Sequence, residues 1–356
     1  MKLSFTTGLG FLVLALLGCS AEKGGTYQQI IGETMGTYYQ ITYQPVRSEV
    51  GQSQIDHLLR RLNQALSTYD STSVISLFNH SPRGIRMSDI NDSELANYFY
   101  DNLELSQEIY RSSKGGFDPT VMPLVNYWGF GYTPRNLTQI DTTMVDSIKS
   151  IVGLEKVNIT LNTDAWVVEK TDGRTQLDFS AVAKGYAIDV IGAYLRDSFG
   201  ISNYLVDIGG ESSALGVNRS GQSWRVAINR PLEASATSSF DFVVQLKNKS
   251  IATSGNYRNY YEIDGEKISH TINPHSGFFE RNDLLSASIL AEECAMADAC
   301  ATACMTLGYE GAKEFISRNK GLSAVLLYLD QEQQIKHYLT PDLKINEQGL
   351  ITEDGI

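Results

Sequence analysis

The sequence predicts an α+β fold in which helices pack on mixed or antiparallel sheets. Short strand-like segments cluster along the chain and do not alternate with helices in a regular β-α-β rhythm. Hydrophobic residues make up 42% and charged residues 20% of the 356 residues, a globular balance that excludes a disordered, collagen-like or coiled-coil chain. The length allows about two domains, but no repeat or linker divides the chain. Two domains and one large domain both stay open at this point.

Apolar periodicity and turn residues define the elements of the first half of the chain. Apolar residues recur at helical spacing from Gln54, with Ser53 as the candidate cap, and the helix that starts near Ser93 is stopped by the Gly115-Gly116 pair. Runs rich in β-branched and aromatic residues predict the strands. In chain order the predicted elements are strands at 30–31 and 38–43, helices at 54–66, 93–112 and 141–151, and strands at 157–161, 166–169 and 175–179.

The second half repeats this mixture without a regular order. A strand ends in the Gly209-Gly210 pair, and Asp264-Gly265 between two strand-like runs predicts a hairpin. The predicted elements are helices at 182–197, 295–307 and 310–319, and strands at 204–208, 224–228, 240–246, 251–253 and 324–329. We take residues 27–345 as the folded domain and residues 346–356 as a C-terminal tail.

The first 18 residues predict a secretory signal peptide, since Lys2 precedes an apolar run that is too short to span a bilayer. Leu16-Leu17-Gly18-Cys19 resembles a bacterial lipobox, in which the cysteine is lipidated and becomes the new N-terminus. We expect Cys19 to carry a lipid anchor, residues 19–26 to form a short tether, and the protein to be exported and held on the periplasmic face of a bacterial membrane. An ordinary signal peptide with a chance cysteine is the alternative.

The net charge excludes one class of partner. The chain has 29 Lys and Arg residues against 41 Asp and Glu residues, a formal charge of −12. Proteins that bind nucleic acid present a basic surface, so we expect no nucleic-acid partner. If the protein handles phosphates, something other than its bulk charge must attract them.

Three cysteines remain after Cys19, and an odd number cannot all pair within one chain. Cys300 and Cys304 are four residues apart on a predicted helix, which places them on one face. Small buried side chains and a two-thiol metal site are both compatible with this spacing. Whether Cys300 and Cys304 form a disulfide stays open.

Standard catalytic fingerprints are absent from the sequence. It contains no G-x-x-x-x-G-K-[ST] loop, no G-x-G-x-x-G between a strand and a helix, no H-E-x-x-H pair and no G-x-S-x-G elbow. Any phosphate-binding site in this protein must therefore be built from a different motif.

Two polar clusters lie in the middle of the chain. In residues 115–120, paired glycines would let the backbone approach a ligand closely; an ordinary loop is the alternative. Farther along, Asp178 ends a predicted strand and Lys184 lies in the first turn of a helix. Because the helix dipole disfavours a cation there, we expect Lys184 to have an anionic partner. A surface lysine beside Asp178 is the alternative.

Two further clusters lie in the last third. His270 is near the end of a predicted strand before a Pro turn, where it could act as a general base or be a structural histidine. Asp298 and Thr302 are four apart, so a carboxylate and a hydroxyl share one helix face. Two oxygen ligands with open positions suit Mg²⁺, and a capping Asp in a tightly packed helix is the alternative.

The order of these clusters and the residues in them resemble one family, the FAD:protein FMN transferases, over most of the chain from Gly32 to Leu329. The segments that carry the resemblance are Glu33-Thr34-Met35-Gly36-Thr37, Leu66-Ser67-Thr68-Tyr69-Asp70, Gly116-Phe117-Asp118-Pro119-Thr120-Val121, Leu177-Asp178-Phe179-Ser180-Ala181-Val182-Ala183-Lys184-Gly185-Tyr186, Gly209-Gly210-Glu211, Ile251-Ala252-Thr253-Ser254-Gly255, Tyr257-Arg258-Asn259-Tyr260, Ser269-His270-Thr271-Ile272-Asn273-Pro274 and Ala297-Asp298-Ala299.

The resemblance implies an enzyme that uses FAD and Mg²⁺ and attaches FMN through a phosphoester to a Thr or Ser of an acceptor flavoprotein, with release of AMP. The acceptors implied are subunits of membrane redox complexes. It also implies an α+β fold whose two halves enclose a flavin-nucleotide cleft. Hydrolysis of FAD to FMN and AMP is the alternative activity, and a non-catalytic, lipid-anchored flavin-binding protein is the non-enzymatic alternative.

The resemblance also implies roles for individual residues. His270 would be the catalytic base. The metal ligands would be the backbone oxygen of Ala181 and the side chains of Asp298 and Thr302. The residues implied to contact the flavin nucleotide are Met35, Tyr69, Gly116, Phe117, Asp118, Asp178, Lys184 and Ile272.

Three places depart from the pattern of the family. Asn273 stands where the family usually has Asp, His275 and Ser276 replace a common Arg-Thr pair, and Asn256 replaces a frequent Asp. These changes remove acidic groups near His270, so we expect its surroundings to differ from those in relatives.

Overall fold

A computed structural model describes residues 26–133, 139–162, 165–229, 240–256, 260–263 and 266–353. The predicted signal peptide, Cys19 with most of the tether, and the Asp264-Gly265 turn lie outside the described residues. Numbered in chain order, the strands are β1 (Gln28–Thr34), β2 (Thr37–Tyr43), β3 (Gly84–Arg86), β4 (Val157–Asn162), β5 (Ala165–Lys170), β6 (Tyr204–Ile208), β7 (Glu211–Leu215), β8 (Trp224–Asn229), β9 (Phe240–Leu246), β10 (Ser250–Gly255), β11 (Tyr260–Ile263), β12 (Glu266–Ser269), β13 (Leu284–Ala291), β14 (Ser323–Leu329), β15 (Ile335–Leu339), β16 (Leu343–Ile345) and β17 (Leu350–Glu353). The helices are α1 (Gln52–Leu66), α2 (Val74–His80), α3 (Ser93–Ser112), α4 (Met122–Tyr127), α5 (Thr142–Lys149), α6 (Ala183–Phe199) and α7 (Cys294–Arg318).

An eight-stranded sheet forms the centre of the fold, in the order β1-β2-β6-β7-β10-β13-β14-β15. Each neighbouring pair in it is antiparallel. Helices α1, α3, α6 and α7 contribute to the main hydrophobic core on one face of this sheet. The opposite face carries a second sheet, in the order β16-β17-β9-β8, and a second core. The predicted α+β class is confirmed.

The hairpin between β1 and β2 shows how local sequence makes these elements. Thr34 and Thr37 are paired, and the two residues between them, Met35 and Gly36, have φ of 50° and 72°. A two-residue hairpin turn with positive φ at both central positions matches the twist of the strands. Glycine adopts this conformation at no cost, whereas Met35 does so against its own preference.

The predicted strand at 175–179 is wrong. Only Gln176 makes an isolated bridge, to Val121. The neighbouring Leu177 donates its N–H to Asn79 Oδ1 at 2.7 Å and accepts at its carbonyl from Asn79 Nδ2 at 2.8 Å. A side chain thus replaces the neighbouring strand as the hydrogen-bond partner of this segment.

Helix termini differ from prediction at two places. Ser53 does not cap α1, which follows Gly51; the Gln54 side chain instead accepts the N–H of Gly51. The two helices predicted at 295–307 and 310–319 form the single element α7, interrupted at Gly308, whose φ of 69° and ψ of 178° are not helical.

The fold continues past Ile345. Part of the predicted C-terminal tail forms β17, which pairs in parallel with β9 through Leu350 and Ile351. The sequence-based expectations had no counterpart for helices α2 and α4 or for strands β3, β7, β13, β15 and β16.

The three described cysteines, Cys294, Cys300 and Cys304, are free and buried, and burial raises the pKa of each thiol. In the part of the chain that the structure describes, no helix combines the length and the apolar character needed to cross a membrane.

Candidate active site

A cavity of 840 Å³ lies where the eight-stranded sheet, the first turns of α6 and α7 and two loops meet. A volume of this size falls in the usual range for small-molecule and cofactor sites. The predicted site residues that line it are Gly116, Phe117, Asp118, Asp178, Ala181, Lys184, His270, Ile272, Asp298 and Thr302. Segments that are far apart in sequence therefore meet at one site.

Helices α6 and α7 touch backbone to backbone beside the cavity. A Cβ atom on Gly185 would lie 2.4 Å from the carbonyl oxygen of Cys294, so only glycine allows this approach. Lys184 precedes this contact and Asp298 lies one turn after it, and their Nζ and Oδ2 atoms are 3.7 Å apart. The N–H of Gly185 also donates to Asp298 Oδ2 at 3.1 Å. The crossing thus fixes a cation beside a carboxylate.

Asp189 of α6 strengthens the same crossing by capping α7. Its Oδ1 and Oδ2 atoms accept the N–H groups of Cys294 and Ala295, each at 2.8 Å. These N–H groups have no partner within their own helix. Burial raises the pKa of Asp189 to about 7, although both backbone hydrogen bonds oppose the rise.

Lys184 has the anionic partners that its position predicts. Its Nζ lies 3.2 Å from Glu211 Oε1, in addition to its contact with Asp298. Burial lowers the pKa of Lys184, but the two carboxylates outweigh burial and leave that pKa raised. Burial raises the pKa of Glu211 to about 7. Its other oxygen, Oε2, is buried with no hydrogen-bond partner.

One face of α7 runs along the cavity. Asp298, Thr302 and Thr306 follow at intervals of four residues and all line the cavity. The hydroxyls of Thr302 and Ser254 are 3.2 Å apart, and Thr306 donates to the carbonyl of Gly116 at 2.7 Å. The helix therefore also holds the glycine loop in place.

The carboxylate of Asp118 is held from within its own loop. It accepts the N–H and the hydroxyl of Thr120 at 2.8 and 2.6 Å. Burial raises the pKa of Asp118 to about 6, against those two hydrogen bonds. The next residue, Pro119, accepts the N–H of Asp178 at 2.7 Å. Burial also raises the pKa of Asp178.

His270 follows β12 and faces the cavity, and its ring meets Phe130 edge-on at 6.3 Å between centroids. The segment after it packs in a third hydrophobic core, which includes Trp128, Ile272 and Phe279. There, Ile272 bridges to Phe279, and the indole of Trp128 donates to the carbonyl of Gly277 at 2.8 Å. The base predicted from sequence thus sits on a supported segment.

Asn273, one of the three departures, has a specific role in this segment. Its Oδ1 accepts the N–H groups of His275 and Ser276, and its Nδ2 donates to Glu280 Oε2 at 2.6 Å. An ionised Asp would accept the same two N–H groups but could not donate to Glu280. The substitution therefore pairs with an acidic residue nearby.

Met35 and Tyr69 are not among the described residues that line the cavity. Met35 lies in the strained β1–β2 turn and packs against the main core. Tyr69 is 72% exposed, and its hydroxyl donates to the carbonyl of Phe130 at 3.4 Å. Flavin contacts of these two residues stay predictions.

The three residues predicted to bind Mg²⁺ all line the cavity. Among the described residues, no group of three or more His, Cys, Asp and Glu side chains could hold a metal ion. The predicted set is of another kind, since it combines one carboxylate, one hydroxyl and one backbone carbonyl. Hard oxygen donors suit Mg²⁺, and the nearby Glu211 Oε2 is a buried oxygen with no hydrogen-bond partner among the described residues. The donors fit the ion.

The charged side chains that line the cavity are mostly acidic. The described acidic residues are Asp118, Asp178, Asp207, Glu211 and Asp298, and the described Lys and Arg residues are Lys184 and Arg225. A phosphate ligand would therefore enter a predominantly negative cavity. The acidity noted in the whole sequence extends to the site itself.

Sequence reasoning assigned no role to two residues that the fold places at the site. Glu211 lies 3.2 Å from Lys184 although it is 27 positions away (211 − 184). Thr306 continues the spacing of four set by Asp298 and Thr302, a signal that the sequence does contain.

Comparison with known proteins decides the family. The model of the ApbE family matches residues 35–326. This chain belongs to the ApbE family. The FAD:protein FMN transferase of Vibrio cholerae is 35% identical to it over 339 residues, which cover 93% of this chain and 96% of that protein. The FAD:protein FMN transferase of Escherichia coli K12 is 32% identical over 97% of this chain and 98% of that protein.

Solved structures of the ApbE family share the fold. The flavin transferase ApbE from Vibrio cholerae superposes with a TM-score of 0.78 and 30% identity, covering 89% of this chain and 97% of that one. The apo form of the Pseudomonas stutzeri flavinyl transferase ApbE gives a TM-score of 0.76 and 28% identity, covering 89% of this chain and 96% of that one. The predicted family and the predicted transferase class are confirmed.

Proposed function

We propose that this ApbE-family chain transfers FMN from FAD to a Thr or Ser hydroxyl of an acceptor flavoprotein in a Mg²⁺-dependent reaction that releases AMP. The names of its relatives support the flavin transfer. The observation that carries the site assignment is the α6–α7 crossing, which sets Lys184 3.7 Å from Asp298 in the cavity that His270 also lines.

The reaction breaks the pyrophosphate bond of FAD and forms a phosphoester bond on the acceptor. The acceptor oxygen attacks the FMN phosphorus, the bond from that phosphorus to the bridging oxygen breaks, and AMP leaves with the bridging oxygen. His270 accepts the proton of the attacking hydroxyl, a role that contributes about 10²- to 10⁴-fold in rate. Lys184 offers positive charge to the pyrophosphate, and Gly116, Phe117 and Asp118 hold the nucleotide.

Asp298, Thr302 and the carbonyl of Ala181 would hold the Mg²⁺. A bound Mg²⁺ neutralises charge on the phosphates that are being transferred and released. Asp298 is 3% exposed and already in contact with Lys184. Its carboxylate would therefore contact both Lys184 and the ion, the two groups that would offset the negative charge of the pyrophosphate.

One incubation tests this function. The purified protein, FAD, Mg²⁺ and an acceptor flavoprotein subunit are combined, and the acceptor is analysed by mass spectrometry. We expect a mass increase that corresponds to one esterified FMN, together with AMP. An acceptor whose target Thr is replaced by Val is the matched control and should stay unmodified. Free FMN and AMP with an unmodified acceptor would show hydrolysis instead, and intact bound FAD would show a non-catalytic binding protein.

We also propose that the protein is exported and held on the periplasmic face of a bacterial membrane by a lipid on Cys19, where it would meet subunits of membrane redox complexes. The support is the lipobox-like sequence Leu16-Leu17-Gly18-Cys19. A Cys19→Ser variant expressed in a bacterial host should move from the membrane fraction to the soluble fraction. An unchanged membrane association would contradict the lipid anchor.

A further inference from the structure

Part of the cavity is lined by none of the residues predicted to bind FAD or Mg²⁺. This part is bordered by β2, β6 and β8 and reaches the surface. We call it the lateral groove and define it by Tyr38, Leu205, Asp207, Arg225 and Ala227.

The floor of the lateral groove is a portion of the eight-stranded sheet that the described residues of the second sheet cover only in part. Gln40 of β2 pairs with Asp207 of β6, and alternate residues on one strand share a face. Tyr38 and Leu205 therefore lie on the same face as this pair. The second sheet covers this face from Leu205 of β6, which packs against the second core, to Ile251 of β10. It also reaches Tyr27 before β1, whose ring meets Trp224 of β8, but its described residues leave the face exposed around Tyr38.

The part of the floor left exposed carries large apolar side chains. Tyr38 and Ile31 are each 54% exposed, and Ile31 lies on the same face because it pairs with Gln40. Grouped apolar side chains at the surface of a soluble domain mark interaction sites more often than single ones do.

The wall of the lateral groove is the free edge of β8. This strand is the last in the order β16-β17-β9-β8, and no strand in the described part of the chain pairs with its outer side. The consecutive residues Arg225, Val226 and Ala227 all line the cavity. Side chains alternate between the faces of a strand, so three consecutive lining residues show that the cavity meets the edge, with its backbone groups, and not one face.

The inner end of the lateral groove reaches the reaction centre. The turn Gly209-Gly210 and Glu211 connect β6 with β7 and line the same cavity, and Glu211 Oε1 lies 3.2 Å from Lys184. A ligand that occupies the groove can therefore present a group to the phosphate-binding residues without leaving the cavity.

We propose that the lateral groove binds an extended segment of the acceptor polypeptide, which pairs with the edge of β8 and packs an apolar side chain on Tyr38. This inference rests on the proposed function. An exposed strand edge supplies main-chain hydrogen bonds to a peptide of almost any sequence. The groove holds one cationic and one acidic side chain, Arg225 and Asp207, and therefore no net formal charge, which suits a polypeptide better than a second phosphate group.

Two variants, each with its own control at Leu161, test the proposal with the full-length protein and an acceptor subunit. Tyr38→Ser removes the apolar contact, and we expect it to raise the KM for the acceptor by about tenfold, a change typical of the loss of an aromatic interface residue. Its affinity for FAD, measured by calorimetry, should match that of the wild type. Leu161→Ser, at a site on β4 that is 63% exposed, is the control and should change neither quantity.

The second variant carries a photoreactive amino acid in place of Ala227, with the same substitution at Leu161 as its control. We expect crosslinking at 227 to join the acceptor next to its target hydroxyl, and crosslinking at 161 to give background only. Equal crosslinking at both positions would contradict peptide binding in the lateral groove. An acceptor KM of Tyr38→Ser equal to that of the wild type would contradict it as well. If the wild-type protein leaves the acceptor unmodified, the proposed transferase function itself is wrong, and the peptide-binding role of the groove falls with it.

Discussion

Replacing Gly185 by Ala tests whether the α6–α7 crossing builds the site. The added Cβ would lie 2.4 Å from the carbonyl oxygen of Cys294, 2.6 Å from its carbon and 2.7 Å from Ala295 Cα. All three are backbone atoms that no side-chain rotation can move. Ordinary contact begins at 3.4 Å, so the helices must separate by about 1 Å (3.4 − 2.4) at this point.

Two opposing effects set the magnitude for Gly185→Ala. Alanine favours the helix by about 1 kcal/mol relative to glycine. Overpacking of a rigid contact costs about 1–3 kcal/mol and occasionally more. Since the overlap is with backbone on both sides, we expect the upper part of that range and a net loss of about 2 kcal/mol in the free energy of unfolding. The separation also lengthens the contact between Lys184 and Asp298.

The assay combines urea unfolding with calorimetry of Mg²⁺ and FAD binding. Gly192→Ala is the matched control, because it lies on the same helix and its Cβ would meet only the ends of the Tyr204 and Arg196 side chains, at 2.8 and 3.3 Å. We expect Gly185→Ala to lose stability and ligand affinity, and Gly192→Ala to lose far less of either. A Gly185→Ala protein as stable as the wild type, with unchanged Mg²⁺ affinity, would refute the reasoning.

Three other predictions concern single residues at or near the cavity. Asp298→Asn should lower the affinity for Mg²⁺ by at least about tenfold, since a charged oxygen ligand is lost, while the circular dichroism spectrum is retained; unchanged Mg²⁺ binding in calorimetry would remove Asp298 from the metal site. His270→Ala should lower kcat by about 10²- to 10⁴-fold with little change in the dissociation constant for FAD, and a loss of FAD binding alone would indicate a structural role. Burial raises the pKa of Asp189 from 3.8 in the unfolded chain to about 7, so its stabilising contribution is complete below about pH 4 and is lost as the pH rises to 7. Asp189→Asn should therefore flatten the fall in the free energy of unfolding between these pH values, and a parallel fall in both proteins would contradict that pKa.

Secondary-structure elements that are stabilised by residues within or next to their own segment could be predicted from the sequence. The helix expected at 93–112 is α3 with the same bounds, because its cap Asp92 directly precedes the segment and its apolar stripe lies within it. The spacing of Asp298 and Thr302 likewise requires only a helix, and the structure places both on the cavity.

Features that depend on distant partners could not be predicted in this way. The strand expected at 175–179 is absent because its hydrogen bonds go to Asn79, 98 residues earlier. The contact of Lys184 with Glu211 follows from how the β6–β7 turn meets α6, which no local pattern encodes. The dipole argument predicted that Lys184 has an anionic partner, but only the fold identifies which residues supply it.

The family resemblance named more candidate site residues than periodicity did, and the structure places them differently. It named the glycine loop, Lys184 and His270, which share the cavity. It also named Met35 and Tyr69, which lie outside it. The first three positions depend on the core of the fold, whereas Met35 and Tyr69 lie on a hairpin turn and at an exposed site.

The measurement that tests the central claim most directly is the ratio of AMP released to FMN attached in a single turnover with excess acceptor. Transfer through one site predicts one AMP for each acceptor-bound FMN, and no AMP when Mg²⁺ is chelated. AMP release that continues at the same rate when the acceptor is omitted, with no FMN on the acceptor when it is present, would contradict the account.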